Sequence, residues 1–238
     1  MVGIGPGSVL NRTRYAEAVI AESEVIVGYT LYLKLIEDLT RGKEIIASGM
    51  TQEAERCRAA LSRAQEGKVV TLVSSGDPGI YGMAGLAIEM AASEGIDVPM
   101  EIIPGVTSAS AAAARLGAPL MLDFAAISLS DLLVPWETIR GRLEAVASAD
   151  LVAALYNPRS RKRTRQLQEA ARIFGSHRPG NTPVGIATAL DTKDERIVIS
   201  DLDHFLDEEI NMRSIVIIGN RSSRCVNGRF ITPRGYTL

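Results

Sequence analysis

Cysteine and histidine are scarce in this sequence of 238 residues, which contains two of each. Cys57 and Cys225 lie far apart and form no CxxC or Cys/His spacing, so we expect no structural zinc site. His177 lies in a polar loop and His204 among acidic residues, and neither pairs with a nucleophile by spacing. The sequence therefore predicts no metal site and favours reduced thiols, although spacing alone leaves a single disulfide open.

A charge excess and long apolar runs are also missing. The net charge is −2 at pH 7, which gives no positive field to hold nucleic acid, so we expect no nucleic-acid partner. Every apolar stretch is broken by Gly, Pro or a charge before about 18 residues, so we expect no membrane span. Residues 1–5 lack the basic segment and apolar run of a signal peptide. These absences favour a globular, cytoplasmic protein of one large domain or two compact ones.

Short apolar runs alternate with amphipathic segments in the first half of the sequence. Apolar residues at helical spacing or rich in Ala predict helices over residues 51–65, 82–92 and 106–115. Short β-branched runs predict strands at residues 2–4, 25–27, 69–73 and 100–103. Repeated strand–helix units imply an α/β fold with a mainly parallel sheet covered on both faces. We place the domain boundary after Gly117, which gives domains of residues 1–117 and 118–238.

The alternation restarts in the second half. Strands are predicted at residues 124–128, 151–155, 182–187, 197–199 and 214–218, and a helix at residues 136–147. Asn227-Gly228 between two short runs predicts a tight hairpin. Because a hairpin joins antiparallel strands, we expect a mixed sheet in the second domain.

Three glycine-containing loops follow predicted strands of the first domain, where ligands bind in open α/β sheets. Residues 3–8 read GIGPGS, in which Pro6 lacks an amide donor and Ser8 replaces the third glycine of a dinucleotide fingerprint. Residues 74–82 (SSGDPGIYG) offer hydroxyls, amides and the Asp77 carboxylate, but no lysine for a triphosphate. Residues 104–109 (PGVTSA) put Thr107 and Ser108 at a helix start, where capping and ligand binding can coexist. Taken alone, the first loop is a weak signal beside a tight strand-to-helix turn, the second is about as consistent with an Asp-Pro turn as with a ligand site, and helix capping explains the third well.

A basic run follows a predicted strand of the second domain. Five of the seven residues from Arg159 to Arg165 are basic, and Ser160 is a candidate N-cap for the helix that follows. Cations at a helix N-terminus oppose its dipole by about 0.3–1 kcal/mol each, so helix stability does not explain them. A solvated face is the usual alternative, but attraction of an anionic ligand explains the run better, and arginine suits carboxylates.

These motifs, in this order and at this spacing, resemble the tetrapyrrole (corrin/porphyrin) methylase family over essentially the whole sequence. Further stretches are similar to the branch of that family that methylates carbon 17 of a precorrin. They are residues 124–133 (FAAISLSDLL), 135–137 (PWE), 155–160 (LYNPRS), 216–220 (VIIGN) and 232–236 (TPRGY). The resemblance implies two α/β domains, the cofactor S-adenosylmethionine bound in the cleft between them, and a homodimer.

The resemblance also implies which residues contact the cofactor. They are Pro6, Ser75, Gly76, Asp77, Ile80, Thr107, Ser108, Tyr156 and Asn157, with Thr188 and Ala189 as further positions. Ala189-Leu190 departs from the pattern of many relatives. Relatives also carry a few more residues ahead of the GxGPG turn, so we expect either a frayed first strand or a longer native N-terminus.

The implied reaction is methylation of carbon 17 of a hydroxylated precorrin, coupled to ring contraction. The acetate and propionate groups of the macrocycle make four cations the candidates for substrate binding: Arg159, Arg161, Lys162 and Arg163. Ring contraction needs a base, for which Asp131 and Tyr156 are candidates beside the substrate's own carboxylates. The sequence is equally consistent with a metal-free substrate and with one that already carries cobalt.

Other functions share parts of this pattern. Sister enzymes methylate other tetrapyrrole positions with the same cofactor loops. The family also contains ribosomal-RNA and diphthine methyltransferases, against which the corrin-like stretches argue. A nicotinamide-dependent oxidoreductase would use the first glycine loop, but the missing third glycine argues against it. A non-catalytic nucleotide-binding module would leave the basic run unexplained.

Overall fold

The computed structural model of the chain describes residues 1–237 and divides into two compact units. The first unit is Met1–Ser108, and the second begins at Ala109. The sequence places a domain boundary later, after Gly117. The two positions differ by one helix, α5 (Ser108–Leu116).

The first unit contains a four-stranded sheet covered by helices. Its strands are β1 (Val2–Gly3), β2 (Val25–Tyr29), β3 (Glu44–Ser48) and β4 (Val70–Ser74), and its helices are α1 (Arg14–Glu22), α2 (Thr30–Lys34), α3 (Glu53–Gln65) and α4 (Ala84–Glu94). The strand order is β1-β4-β2-β3 and every pairing is parallel. The parallel first sheet predicted from the alternation is therefore confirmed.

Alternate side chains of β2 pack in two different hydrophobic clusters, one on each face of the sheet, so both faces are covered. Val25 and Val27 pack with Cys57 and Leu61 of α3, whereas Ile26 packs in a second cluster that includes α1. A strand buried on both faces has a continuous apolar run, which is the pattern that the sequence shows at residues 25–27.

Residues 100–103, predicted as a strand, make only an isolated bridge between Val2 and Ile103. Ile103 N donates to the Met1 carbonyl (2.8 Å), and the Ile103 carbonyl accepts from Gly3 N (3.0 Å). The segment lies between prolines at positions 99 and 104. Proline has no backbone N–H, so it cannot donate the hydrogen bonds that would extend the pairing between strands. Conversely, the sequence does not predict β3, because this edge strand leaves several of its residues exposed and so lacks a strong apolar pattern.

The second unit is built on a five-stranded sheet and a smaller three-stranded one. Its strands are β5 (Gly117–Ala118), β6 (Phe124–Ser128), β7 (Val152–Tyr156), β8 (Pro183–Thr188), β9 (Arg196–Asp201), β10 (Ser214–Ile218), β11 (Arg224–Val226) and β12 (Arg229–Ile231), and α5 is followed by α6 (Trp136–Ser148) and α7 (Arg165–Gly175). In the order β6-β7-β10-β8-β9 only β6 and β7 pair in parallel. The mixed sheet predicted for the second domain is confirmed.

The hairpin predicted at Asn227-Gly228 joins β11 to β12. Both turn residues have positive φ, 50° for Asn227 and 72° for Gly228, as a two-residue turn between right-twisted strands requires. Strand β12 also pairs in parallel with β5 to complete the order β11-β12-β5.

Helices α6 and α7 cover one face of the five-stranded sheet, where Leu143, Phe174 and Val216 belong to one core. Helix α7 begins at Arg165 after Thr164, so Ser160 is not its N-cap. The Ser160 hydroxyl instead accepts from Arg163 N (3.0 Å) and closes a turn ahead of the helix.

Both cysteines are free thiols. Cys225 is exposed, whereas burial of Cys57 raises the pKa of its thiol to about 11. Among residues 1–237, no group of three or more His, Cys, Asp and Glu side chains is arranged to hold a metal ion. Within the same residues, no helix has the length and apolar character needed to cross a bilayer.

Candidate functional site

Two of the predicted glycine loops meet at the carboxyl edge of the first sheet. They come together because β1 and β4 are neighbouring parallel strands. Gly5 N donates to the Gly76 carbonyl (3.2 Å), and Gly76 N donates to the Gly5 carbonyl (2.8 Å). Both residues have positive φ, 74° and 66°, which glycine adopts without steric cost.

The third loop joins them through the Asp77 carboxylate. Asp77 Oδ2 accepts from Gly105 N (3.0 Å), and Oδ1 accepts from Gly79 N (2.8 Å). A Cβ on Gly105 would lie 2.1 Å from the Gly76 carbonyl oxygen, and one on Gly3 would lie 2.6 Å from the same atom. The backbones of the three loops therefore pack directly against each other, with no room for side chains between them.

This three-loop cluster brings together the cofactor residues predicted in the first unit. The Cβ position of Gly76 is 3.8 Å from Thr107 Cα and 3.9 Å from Ser108 N. Ile80 is 41% exposed, and Ser75 and Pro6 are half-buried. Pro6, Ser75, Gly76, Asp77, Ile80, Thr107 and Ser108 all belong to these loops. The sequence does not predict the closest contacts, made by Gly3, Gly5 and Gly105, although a glycine just after a strand is the signal for each.

In the second unit, the neighbouring parallel strands β6 and β7 end together, with Ser128 opposite Tyr156. The Tyr156 hydroxyl accepts from Ala109 N in the first turn of α5 (3.1 Å). Asn157 has φ 49°, and its side-chain amide donates to Ser128 Oγ (3.0 Å). Tyr156 and Asn157 are thus fixed at the carboxyl edge of the second sheet.

Thr188 and Ala189 lie at the same edge, since β7 and β8 both pair antiparallel with β10 and so run in the same direction. The Thr188 hydroxyl is 2.7 Å from Ser214 Oγ. Ala189 is buried with φ 53°, and its amide donates to the Arg213 carbonyl (2.9 Å). The Ala189 carbonyl accepts from Thr192 N (3.1 Å) and from the Thr192 hydroxyl (2.8 Å), so both backbone polar groups of Ala189 have partners within the chain.

The five basic residues of the run separate into one structural arginine, Arg163, and four others, of which Arg165 begins α7. Arg163 donates through Nη1 to the carbonyls of Leu129 (3.1 Å) and Asn157, and its side chain is only 10% exposed. Burial lowers the pKa of Arg163, and the nearby Asp131 partly offsets that effect. Arg161 and Lys162 are exposed, and Arg159 is half-buried.

Asp131 follows β6 and is exposed. Its Oδ2 accepts from Gln166 Nε2 of α7 (2.8 Å), and its Oδ1 is 3.9 Å from Arg163 Nε. Tyr156 ends β7 and Asp131 follows the end of the adjacent strand β6, so both lie at one edge of one sheet.

A cavity of about 500 Å³ lies elsewhere in the second unit, where β8 begins and β10 ends. Pro183, Asp201, Asn220 and Arg221 are among its lining residues. It shares no residue with the loops described above and lies at the opposite edge of the sheet, so we do not assign it to this site.

Sequence comparison relates the chain to known methyltransferases. The sequence model of the tetrapyrrole (corrin/porphyrin) methylases matches residues 1–205. A probable cobalt-factor III C(17)-methyltransferase of Salmonella typhimurium is 45% identical over 238 residues, which covers 100% of this chain and 99% of the relative. A precorrin-3B C(17)-methyltransferase of a Sinorhizobium species is 41% identical over 244 residues, which covers 99% of this chain and 96% of that relative.

Solved structures share the fold. The crystal structure of the methyltransferase CobJ superposes with a TM-score of 0.92 at 36% identity, over 98% of both chains. A uroporphyrin-III C-methyltransferase from Thermus thermophilus, solved with S-adenosylhomocysteine, has a TM-score of 0.70 at 25% identity, over 92% of this chain and 95% of that one. The α/β fold predicted from the sequence is therefore confirmed at the level of whole architecture.

Proposed function

The chain belongs to the tetrapyrrole (corrin/porphyrin) methylases, and from that premise we propose that it methylates carbon 17 of a precorrin with S-adenosylmethionine and contracts the ring, in cobalamin biosynthesis. The observation that carries the proposal is the 45% identity, over 100% of this chain and 99% of the relative, to a protein named for C(17) methylation.

The three-loop cluster fits this cofactor. S-adenosylmethionine supplies a methyl group on a positively charged sulfur, so the protein needs to bind and orient it rather than form a covalent bond to it. The cluster offers backbone amides, hydroxyls at Ser75, Thr107 and Ser108, and no lysine, which suits a ligand without phosphates. Tyr156, Asn157, Thr188 and Ala189 remain proposed contacts from the second unit, and the cleft between the domains remains a prediction.

For the substrate carboxylates we propose Arg159, Arg161 and Lys162. The sequence predicts Arg163 as a fourth, but its hydrogen bonds to two carbonyls suit a role in holding the loops. A guanidinium already bonded to backbone and largely buried has fewer donors to offer a ligand.

For the base of ring contraction we propose Asp131, with Tyr156 as the alternative. The Asp131 carboxylate is exposed and has acceptor capacity beyond its bond from Gln166. The Tyr156 hydroxyl already accepts a backbone hydrogen bond. We also propose that the protein is cytoplasmic and forms a homodimer. Sedimentation equilibrium would check the homodimer by its mass.

The test is calorimetric titration with S-adenosylhomocysteine, followed by turnover of precorrin-3B and of cobalt-factor III with S-adenosylmethionine. We expect saturable binding and a product that is one methyl group heavier, methylated at carbon 17 by NMR and contracted by its absorption spectrum. Absence of binding would reject the cofactor, and methylation at another carbon would assign the chain to a sister activity. The same assay on Asp131→Asn and Tyr156→Phe identifies the base, since loss of that group stalls contraction.

A further inference from the structure

The loops that follow β6 and β7 are fastened to each other, and we call them the paired loops (residues 129–135 and 157–164). Arg163 donates to the carbonyl of Leu129 in one loop and to that of Asn157 in the other. Asn157 also donates to Ser128 at the end of β6 (3.0 Å). These bonds join two segments that are distant in sequence into one surface of the second unit.

Two adjacent leucines of this surface are exposed although the loop that carries them is anchored at both ends. Leu132 is 76% exposed and Leu133 is 91% exposed. Leu129, ahead of them, is fully buried, and the indole N–H of Trp136, after them, donates to Glu169 (2.9 Å). A leucine stabilises a fold only when it is buried, so this pair contributes little to folding, and contiguous exposed apolar surface marks interaction sites.

The second of the paired loops carries positive charge. Arg159, Arg161 and Lys162 belong to it, and among the described residues none of the three forms a salt bridge. An exposed apolar pair on one loop, joined by hydrogen bonds to a loop whose cations form no salt bridge, matches a ligand with an apolar face and an anionic rim. A basic protein surface alone would match any polyanion.

We propose that Leu132 and Leu133 bind the flat face of the tetrapyrrole macrocycle while Arg159, Arg161 and Lys162 bind its peripheral carboxylates. This inference rests on the proposed function and adds the residues that select a macrocycle over other polyanions. Contact with the ring would remove part of two leucine side chains from water, which contributes to affinity in proportion to the area covered.

The test is the double variant Leu132→Ser/Leu133→Ser, compared with wild type and with Leu206→Ser as a matched control. Leu206 is 36% exposed and lies in the short 3-10 helix Phe205–Asp207, outside the paired loops. Binding of uroporphyrin, a stable polycarboxylate tetrapyrrole, is followed by quenching of Trp136, since the chain has one tryptophan. Titration with S-adenosylhomocysteine and sedimentation are run on the same samples.

We expect the double variant to bind the tetrapyrrole about tenfold or more weakly, with the affinity for S-adenosylhomocysteine and the control variant unchanged. Equal binding of the tetrapyrrole by wild type and double variant would overturn the proposal, as would wild type that does not bind it. A change from dimer to monomer with unchanged tetrapyrrole affinity would assign the leucines to a contact between two copies of the chain instead. Failure of turnover with normal tetrapyrrole binding would reject the proposed reaction and leave this surface assignment standing.

Discussion

At the scale of single residues, Asp77 combines a structural role with a predicted cofactor contact. Its two carboxylate oxygens accept from Gly79 N and Gly105 N, so the carboxylate holds two loops in place around Gly76. A hydrogen bond to a charged group contributes about 1.5–3 kcal/mol, less where water competes. Loss of this carboxylate therefore disturbs the whole three-loop cluster.

We expect Asp77→Ala to weaken S-adenosylhomocysteine binding by about tenfold or more and to lower the free energy of unfolding by about 2 kcal/mol. Calorimetric titration gives the first quantity and urea denaturation the second. Asp97→Ala is the matched control, because Asp97 is an exposed aspartate of the same unit. Cofactor affinity in Asp77→Ala equal to that of wild type would remove Asp77 from the site.

At the scale of elements, the strands with the strongest apolar patterns could be predicted closely. The bounds of β6 and β10 coincide with the predicted residues 124–128 and 214–218. The failures have local causes: residues 100–103 lie between two prolines, and β3 is a half-exposed edge strand. Burial on both faces constrains every position of β10, whereas edge strands and proline-flanked segments carry a weaker constraint. Strand β6 is also a half-exposed edge strand, and its run of apolar residues is what predicts it.

The sequence predicts which loops form the candidate site, but it predicts the roles of the individual residues only in part. The basic run shows which side chains are charged, but Arg163 bonds to the Leu129 carbonyl 34 residues away. No pattern of residue types reveals a backbone acceptor supplied by another loop. The same limit hides the close approach of Gly3 and Gly105 to Gly76.

The paired loops give a prediction at this scale for Arg163. We expect Arg163→Met, which keeps the stem and removes the guanidinium, to raise the KM for the tetrapyrrole about fivefold and to destabilise the fold by about 1–3 kcal/mol, because two carbonyls lose their donor. The affinity for S-adenosylhomocysteine should change less. Arg172→Met, at an exposed arginine of α7, is the control, and Arg163→Lys should recover part of the loss. A KM in Arg163→Met equal to that of wild type would show that the loops hold their shape without this residue.

At the scale of the whole molecule, the net charge of −2 does not attract an anionic substrate. Attraction of a polycarboxylate must therefore come from a local group of cations acting against a slightly negative background. Exposed charges interact over about 10 Å at about 0.1 M ionic strength. The cofactor differs, since S-adenosylhomocysteine carries no net charge when its amino and carboxyl groups are both ionised.

Salt should therefore separate the two ligands. Between about 0.05 M and about 0.5 M sodium chloride we expect the KM for the tetrapyrrole to rise about tenfold, because screening weakens the attraction between its carboxylates and Arg159, Arg161 and Lys162. The affinity for S-adenosylhomocysteine should change little over the same range. In Arg161→Gln/Lys162→Gln the KM should be higher at low salt and nearly independent of salt, while Arg172→Gln should follow wild type. A salt dependence that is equally steep in the double variant would show that the tetrapyrrole's carboxylates are held by cations outside this run.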